Sequence, residues 1–288
     1  MKYKILWIDD QWEAMDSFKE VCELPENGME VVPCKYAVEG MRLFEEHLEE
    51  WSGAILDAKV LYNEEAKMDT QKGLVYSIKR INELSSKRKV PYYIFTGQPD
   101  LASDTEFAEA HEGYYYEKDR DEDRLIADIK RNAEEQEDNQ IINKHATVFD
   151  TWPQLRHDLL RILKADENED WQNNSLFNDI RKIVSNIIQF LCDKGYCDAQ
   201  FKETNLAECS KNISEKDYVP IYIKRNIHSL VAITNEGSHW GVANSMVAEG
   251  KAPYLLRSLI YEMLNVLYWC KDVVNKEPTH YEQVDSMS

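Results

Sequence analysis

The sequence predicts an α/β domain built on a five-stranded, doubly wound parallel sheet in the first half of the chain, followed by an all-helical bundle. In residues 1–135, short and continuously apolar segments alternate with segments of helical periodicity. Continuous apolarity is typical of parallel strands covered on both faces, and right-handed crossovers then place helices on either side of the sheet. Beyond residue 149, apolar residues recur every three or four positions, which favours helices.

Each element of the first half follows from a local pattern. The apolar segments predict strands over residues 5–8, 29–34, 53–56, 91–95 and 114–116. The amphipathic segments between them predict helices over residues 13–24, 36–50, 73–84, 99–111 and 121–133.

The second half is predicted to contain helices over residues 152–163, 175–194, 220–234 and 253–274. Gly195 is suited to end the second of these, and the last has too many apolar positions for a single stripe, which places it at the centre of the bundle. We therefore expect a domain over residues 1–135, a linker or helix extension over 136–148, and a helical output or interaction domain over 149–288.

Length and charge limit the functional classes. A chain of 288 residues corresponds to about two domains. The formal net charge is -19, and residues 1–135 alone carry 31 acidic and 18 basic residues. DNA-binding surfaces need clustered cations, and the densest cluster here is only Lys87-Arg88-Lys89. The composition therefore argues against DNA as a partner.

The N-terminal residues run directly into a strand-like segment without the apolar region of a signal peptide, and no apolar run approaches the roughly 20 residues that span a bilayer. These observations predict a cytoplasmic protein with no membrane association. The six cysteines form no C-x-x-C pair, so their spacing predicts reduced core thiols and not a zinc site.

Polar residues follow the predicted strands at their carboxyl ends. Asp9 and Asp10 follow the first strand, Asp57 the third, Thr96 the fourth and Lys118 the fifth. Carboxyl ends of parallel strands share one edge of the sheet, where functional residues collect. Clustered carboxylates need a cation, and oxygen ligands suit Mg²⁺. One carboxylate could then accept a phosphoryl group as an aspartyl phosphate, held by the hydroxyl and the ammonium.

This pattern over residues 1–135 resembles the receiver domain of two-component response regulators, whose fold is flavodoxin-like. The resemblance implies that Asp57 is the phospho-acceptor and that Asp10 ligates Mg²⁺ directly. It implies that Asp9 acts mostly through water and that the backbone carbonyl of Lys59 is a further ligand. A histidine kinase or phosphotransfer protein is the implied partner.

By the same resemblance, Thr96 would bond to the phosphoryl group, Lys118 would pair with it, and Tyr115 would be the switch aromatic residue. Each residue also has a purely structural interpretation: Asp9 and Asp10 as a helix cap, Thr96 as part of a turn, Lys118 as a solvated charge and Tyr115 as a core residue. Two features depart from the family pattern. The segment 58–72 is longer than usual, and Asp119 stands where proline often follows the lysine.

In the second half, the polar segment with Arg225, His228 and His239 loosely resembles the motif region of HEPN-type helical domains, some of which are ribonucleases. The alternative is a helix-terminating loop that packs on the bundle.

The function predicted first is phosphorylation at Asp57 that signals through a helical domain which does not bind DNA. No dedicated catalytic activity is expected beyond autophosphorylation and dephosphorylation of the receiver. A receiver-gated ribonuclease, with RNA as its partner, and a scaffold that uses the receiver fold as a dimerisation surface are the alternatives. Each of these functions is compatible with a homodimer.

Overall fold

A computed structural model describes residues 2–66, 68, 71–97, 114–170, 173, 175–201, 205–237, 245–247 and 249–274. The chain divides into two compact units, residues 1–140 and 141–288. No helix in these described ranges is long and apolar enough to cross a membrane.

The first unit contains a five-stranded sheet in the order β2-β1-β3-β4-β5, and every neighbouring pair is parallel. The predicted doubly wound fold is therefore confirmed. The strands are β1 (Tyr3–Ile8), β2 (Met29–Cys34), β3 (Trp51–Leu56), β4 (Tyr92–Thr96) and β5 (Tyr115–Glu117).

Helices cover both faces of this sheet. They are α1 (Asp16–Cys22), preceded by a 3-10 turn (Trp12–Met15), α2 (Ala37–Glu46), α3 (Gln71–Leu84) and α4 (Glu122–Glu135). Alternate residues of β1 enter two separate cores: Leu6 and Ile8 pack on one face, and Ile5 and Trp7 on the other. Because both faces of the sheet are buried, apolar residues follow one another along the strands. The predicted helix over 99–111 lies outside the described residues.

In the part of the second unit that the structure describes, the regular elements are all helices. Its elements are α5 (Glu137–Lys144), which begins in the first unit, α6 (Ala146–Thr151), a 3-10 turn (Pro153–Leu155), α7 (Arg156–Glu167), α8 (Leu176–Asp193), a 3-10 turn (Ala199–Phe201), α9 (Leu206–Glu215), α10 (Ile221–Gly237) and α11 (Leu255–Val274). The predicted linker is thus largely helical, and α9 was not predicted. Along α11, eight side chains are buried in the core of this unit.

Candidate functional site

The carboxyl ends of neighbouring strands bring the predicted site residues to one edge of the sheet. β1 and β3 are adjacent, and the Asp57 backbone N–H donates to the carbonyl of Ile8 over 2.8 Å. Thr96 ends β4, and its carbonyl accepts from the N–H of Lys118 over 3.0 Å. This edge includes the point where the strand order reverses, which is where ligands bind in such sheets.

Three carboxylates meet at this edge. Asp9, Asp10 and Asp57 each offer an oxygen that lies within 4.8 Å of the others. Asp9 is fully buried and Asp57 is 4 % exposed, whereas Asp10 is half-buried. Carboxylates with so little access to water repel one another strongly, so they need compensating positive charge.

Lys118 supplies part of that charge. Its Nζ lies 2.7 Å from Oδ2 of Asp9 and 3.3 Å from Oδ1 of Asp57. The other oxygen of Asp9 accepts from the backbone N–H of Gln11 over 2.9 Å. Burial of the ammonium opposes its charge, but the carboxylates of Asp57 and Asp9 outweigh that effect and raise the pKa of Lys118. Asp9 is therefore held by two donors, and Lys118 bridges it to Asp57.

The electrostatic environment of Asp57 is unfavourable to its charge. Burial raises the pKa of the Asp57 carboxyl group from 3.8 to about 6. The charge of Lys118 lowers this pKa, that of Asp9 raises it, and a hydrogen bond with the side chain of buried Thr96 lowers it. Desolvation thus outweighs the attraction to Lys118.

The residues present fit a Mg²⁺ ion. Three carboxylates face one ammonium, which leaves an excess of negative charge. Oδ1 of Asp57 is buried, and the Lys118 ammonium that lies 3.3 Å from it is shared with Asp9. Opposite ligands of octahedral Mg²⁺ lie about 4.2 Å apart, so carboxylate oxygens within 4.8 Å of one another need only small side-chain rotations to share an ion.

The remaining predicted receiver residues lie nearby in the chain. Lys59 is half-buried two residues after Asp57. Tyr115 is half-buried in β5 and packs against the core on the α2 and α3 face. Its role as a switch stays a prediction.

The long segment after Asp57 is anchored in its first part. The carbonyls of Leu61 and Tyr62 accept from the first N–H groups of α2 over 3.0 Å each. Gly73 packs so closely on Val60 that a Cβ there would lie 2.5 Å from its Cγ1 and 2.9 Å from its carbonyl oxygen. Sequence reasoning recognised Gly73 only as the start of a helix. Its tight packing helps to hold the segment that follows Asp57.

Asp119 has a left-handed backbone conformation with φ of 67°. Proline cannot adopt this conformation because its ring fixes φ near about −65°, whereas aspartate tolerates it better than most residues. The left-handed backbone directly after Lys118 therefore explains why this position holds aspartate and not proline.

The residues proposed for the second unit are only partly described. Arg225 and His228 are exposed on α10 and line a groove of about 470 Å³ together with Lys211 and Lys224. Among the described residues, none of these four side chains has an ion-pair partner. His239 lies outside the described residues, so its relation to the groove stays a prediction.

Comparisons with known proteins find similarity to solved structures over part of the chain. No family model matches the chain, and no curated protein matches it. Among the solved structures that are similar to this chain, one is a response regulator receiver domain protein from Clostridium thermocellum, with 22% identity and a TM-score of 0.34, covering 46% of this chain and 94% of that one. Another is the signal receiver domain of a protein described as a Luxo repressor from Vibrio parahaemolyticus, with 14% identity and a TM-score of 0.33, covering 46% of this chain and 92% of that one.

Proposed function

We propose that residues 1–140 act as a receiver that accepts a phosphoryl group on Asp57 and that residues 141–288 act as its helical output or interaction unit. The single observation that carries this proposal is the meeting of three carboxylates with Lys118 and Thr96 at one sheet edge.

In the proposed reaction, a carboxylate oxygen of Asp57 attacks the phosphorus of a phosphoryl donor. The new O–P bond forms as the bond between phosphorus and the donor breaks, and the donor leaves with that electron pair. Asp10, Asp57 and the Lys59 carbonyl would hold Mg²⁺ directly, and Asp9 would act mostly through water. The ion would neutralise the carboxylates and the incoming phosphoryl oxygens.

In this proposal, Lys118 and Thr96 hold the product. The Lys118 ammonium, now shared by Asp9 and Asp57, can pair with a phosphoryl oxygen, and the Thr96 hydroxyl can donate to another. Phosphorylation brings a charge of about −1.5 to −2 into the site, which would draw both groups toward it. Tyr115 lies in β5, which pairs with the strand of Thr96, and it is the side chain proposed to move in response to phosphorylation.

The test is phosphorylation of the full chain by acetyl phosphate. We expect Mg²⁺-dependent addition of one phosphoryl group, detected by mass spectrometry and lost on treatment with hydroxylamine, which cleaves acyl phosphates. Asp57→Asn should abolish it, whereas Asp123→Asn, an exposed position on α4, should not. Absence of labelling at every Mg²⁺ concentration would refute the proposal and favour the scaffold function. The physiological donor would be a histidine kinase or phosphotransfer protein.

A second candidate function is cleavage of RNA by the second unit, and one observation favours it. The groove along α10 carries four basic or titratable side chains without ion-pair partners among the described residues, so it can attract phosphate. We expect RNA cleavage, if present, to be lost in His228→Ala and His239→Ala and kept in the matched surface variant His157→Ala. Intact RNA at high protein concentration would exclude this function.

A further inference from the structure

The second unit contains a cluster of three cysteines that the spacing in sequence does not reveal. Cys192 lies near the end of α8, Cys197 in the turn after it and Cys209 in α9, and their Sγ atoms all lie within 4.8 Å of one another. Each side chain is at most 3 % exposed and belongs to the core of the unit. None of the three has a part in the proposed receiver chemistry.

The backbone brings the first two cysteines together by a defined turn. Gly195 has φ of 79°, its N–H donates to the Cys192 carbonyl over 3.1 Å, and the N–H of Tyr196 donates to the Leu191 carbonyl over 2.9 Å. This pair of bonds is a Schellman motif, which ends α8 and reverses the chain. Cys197 is therefore returned to the side of Cys192.

Polar contacts hold the third cysteine and its helix against this turn. The N–H of Asp198 donates to Oδ1 of Asn212 over 2.9 Å, and Nδ2 of Asn212 donates back to Asp198 over 2.8 Å. Lys216 also pairs with Asp198. Cys209 donates from Sγ to the Phe201 carbonyl over 2.9 Å. The residue after Cys197 is thus fixed to the helix that carries Cys209.

We propose that Cys192, Cys197 and Cys209 bind one thiophilic metal ion, Zn²⁺ or Cu(I), as three thiolates. Sulfur atoms that share a tetrahedral zinc ion lie about 3.8 Å apart, given a Zn–S distance of about 2.3 Å. The cluster is therefore close to the spacing that a metal requires. Thiolates select Zn²⁺ and Cu(I) over Mg²⁺, so this site is chemically distinct from the carboxylate site of the first unit.

The environment explains why a metal is needed to form the thiolates. Burial raises the pKa of the Cys192 thiol, and the neighbouring Cys197 adds to this effect. Burial also raises the pKa of Cys197. Metal binding would release the thiol protons to solvent and place a positive charge among the sulfurs. The second unit would gain stability because the ion binds only the folded chain, where it joins the end of α8 and the turn after it to α9.

The experiment titrates the reduced, metal-free full chain with Co²⁺ as a spectroscopic substitute for Zn²⁺. Thiolate ligation produces a near-ultraviolet charge-transfer band that oxygen ligands do not give, so binding at the acidic site does not interfere. We expect saturation at one ion per chain, loss of the band on adding Zn²⁺, and a melting temperature that rises with Zn²⁺ concentration. A parallel titration with Cu(I) against a chromophoric chelator identifies which ion binds more tightly.

Variants test the ligand set. Cys197→Ser and Cys209→Ser should abolish the band and the thermal shift, whereas Cys270→Ser, which replaces a buried cysteine outside the cluster, should retain both. If the serine variants do not fold, the wild-type titration still decides the question. The proposal is overturned if the wild-type chain gives no charge-transfer band and binds no Cu(I), or if the band survives in Cys197→Ser.

Discussion

Replacement of the buried Asp57 by asparagine should stabilise the first unit in the absence of divalent ions. Asparagine has nearly the same shape but carries no charge, so it removes the cost of ionising a carboxyl group at a site with little access to water. That cost is visible in the pKa of Asp57, which burial raises from 3.8 to about 6 in spite of Lys118.

The magnitude follows from the pKa. A rise from 3.8 to about 6 corresponds to about 3 kcal/mol at about 1.36 kcal/mol per pH unit. Since Asp57 is only 4 % exposed, little of this is lost to solvent screening. We expect Asp57→Asn to increase the free energy of unfolding by up to this amount above pH 6.

The pKa of Asp57 fixes the direction in which the free energy of unfolding changes with pH. Between pH 3.8 and about 6 the folded state retains a proton on Asp57 that the unfolded state has lost. The wild-type protein therefore loses stability as pH rises through this window, and the difference from Asp57→Asn should vanish below it. Mg²⁺ should stabilise only the wild-type chain, so at neutral pH it should reduce the difference in free energy of unfolding between wild type and Asp57→Asn.

The assay is urea unfolding of both chains from pH 4 to pH 8, with EDTA and with Mg²⁺, followed by signals from the first unit. Asp123→Asn is the control, because it removes an exposed carboxylate and should change stability little at any pH. The reasoning is refuted if Asp57→Asn is less stable than wild type at pH 7.5 in EDTA, or if the difference does not decrease toward pH 4.

Three further predictions concern the groups around this carboxylate. Lys118→Met should destabilise the metal-free chain by about 3–5 kcal/mol in urea unfolding, because it leaves the fully buried Asp9 without its cation, and Mg²⁺ should restore part of the loss. Gly73→Ala should cost about 1–3 kcal/mol in the same assay, because the new Cβ would meet the backbone oxygen of Val60 at 2.9 Å. Asp119→Pro should reduce phosphorylation and stability because proline cannot adopt φ of 67°, whereas Asp119→Gly should preserve both.

Each of these predictions has a result that contradicts it. An unchanged free energy of unfolding in Lys118→Met would mean that the lysine does not compensate the buried charge. Gly73→Ala as stable as wild type would show that the segment near Val60 moves freely. Full labelling in Asp119→Pro would show that Lys118 does not depend on the left-handed conformation beside it.

Much of the first unit could be predicted because its signals are local. The strands are largely apolar, and charged residues such as Asp57 and Lys118 follow directly after them. Since parallel strands place their carboxyl ends at one edge, the order of residues along the chain was enough to bring them together. The helix α9 was not predicted because it is short and buries few large apolar residues, among them Ile213, and its position depends on packing against α10.

The amino-acid sequence by itself determined the strand and helix pattern of the first unit, the acidic edge of its sheet and the helical character of the second unit, because hydrophobic periodicity and strand ends are properties of neighbouring residues. Only the tertiary structure decided how strongly burial opposes the charge of Asp57, which backbone Asp119 adopts, and that Cys192, Cys197 and Cys209 share one point in the core. These properties depend on desolvation and on the exact path of the backbone, and spacing along the sequence records neither.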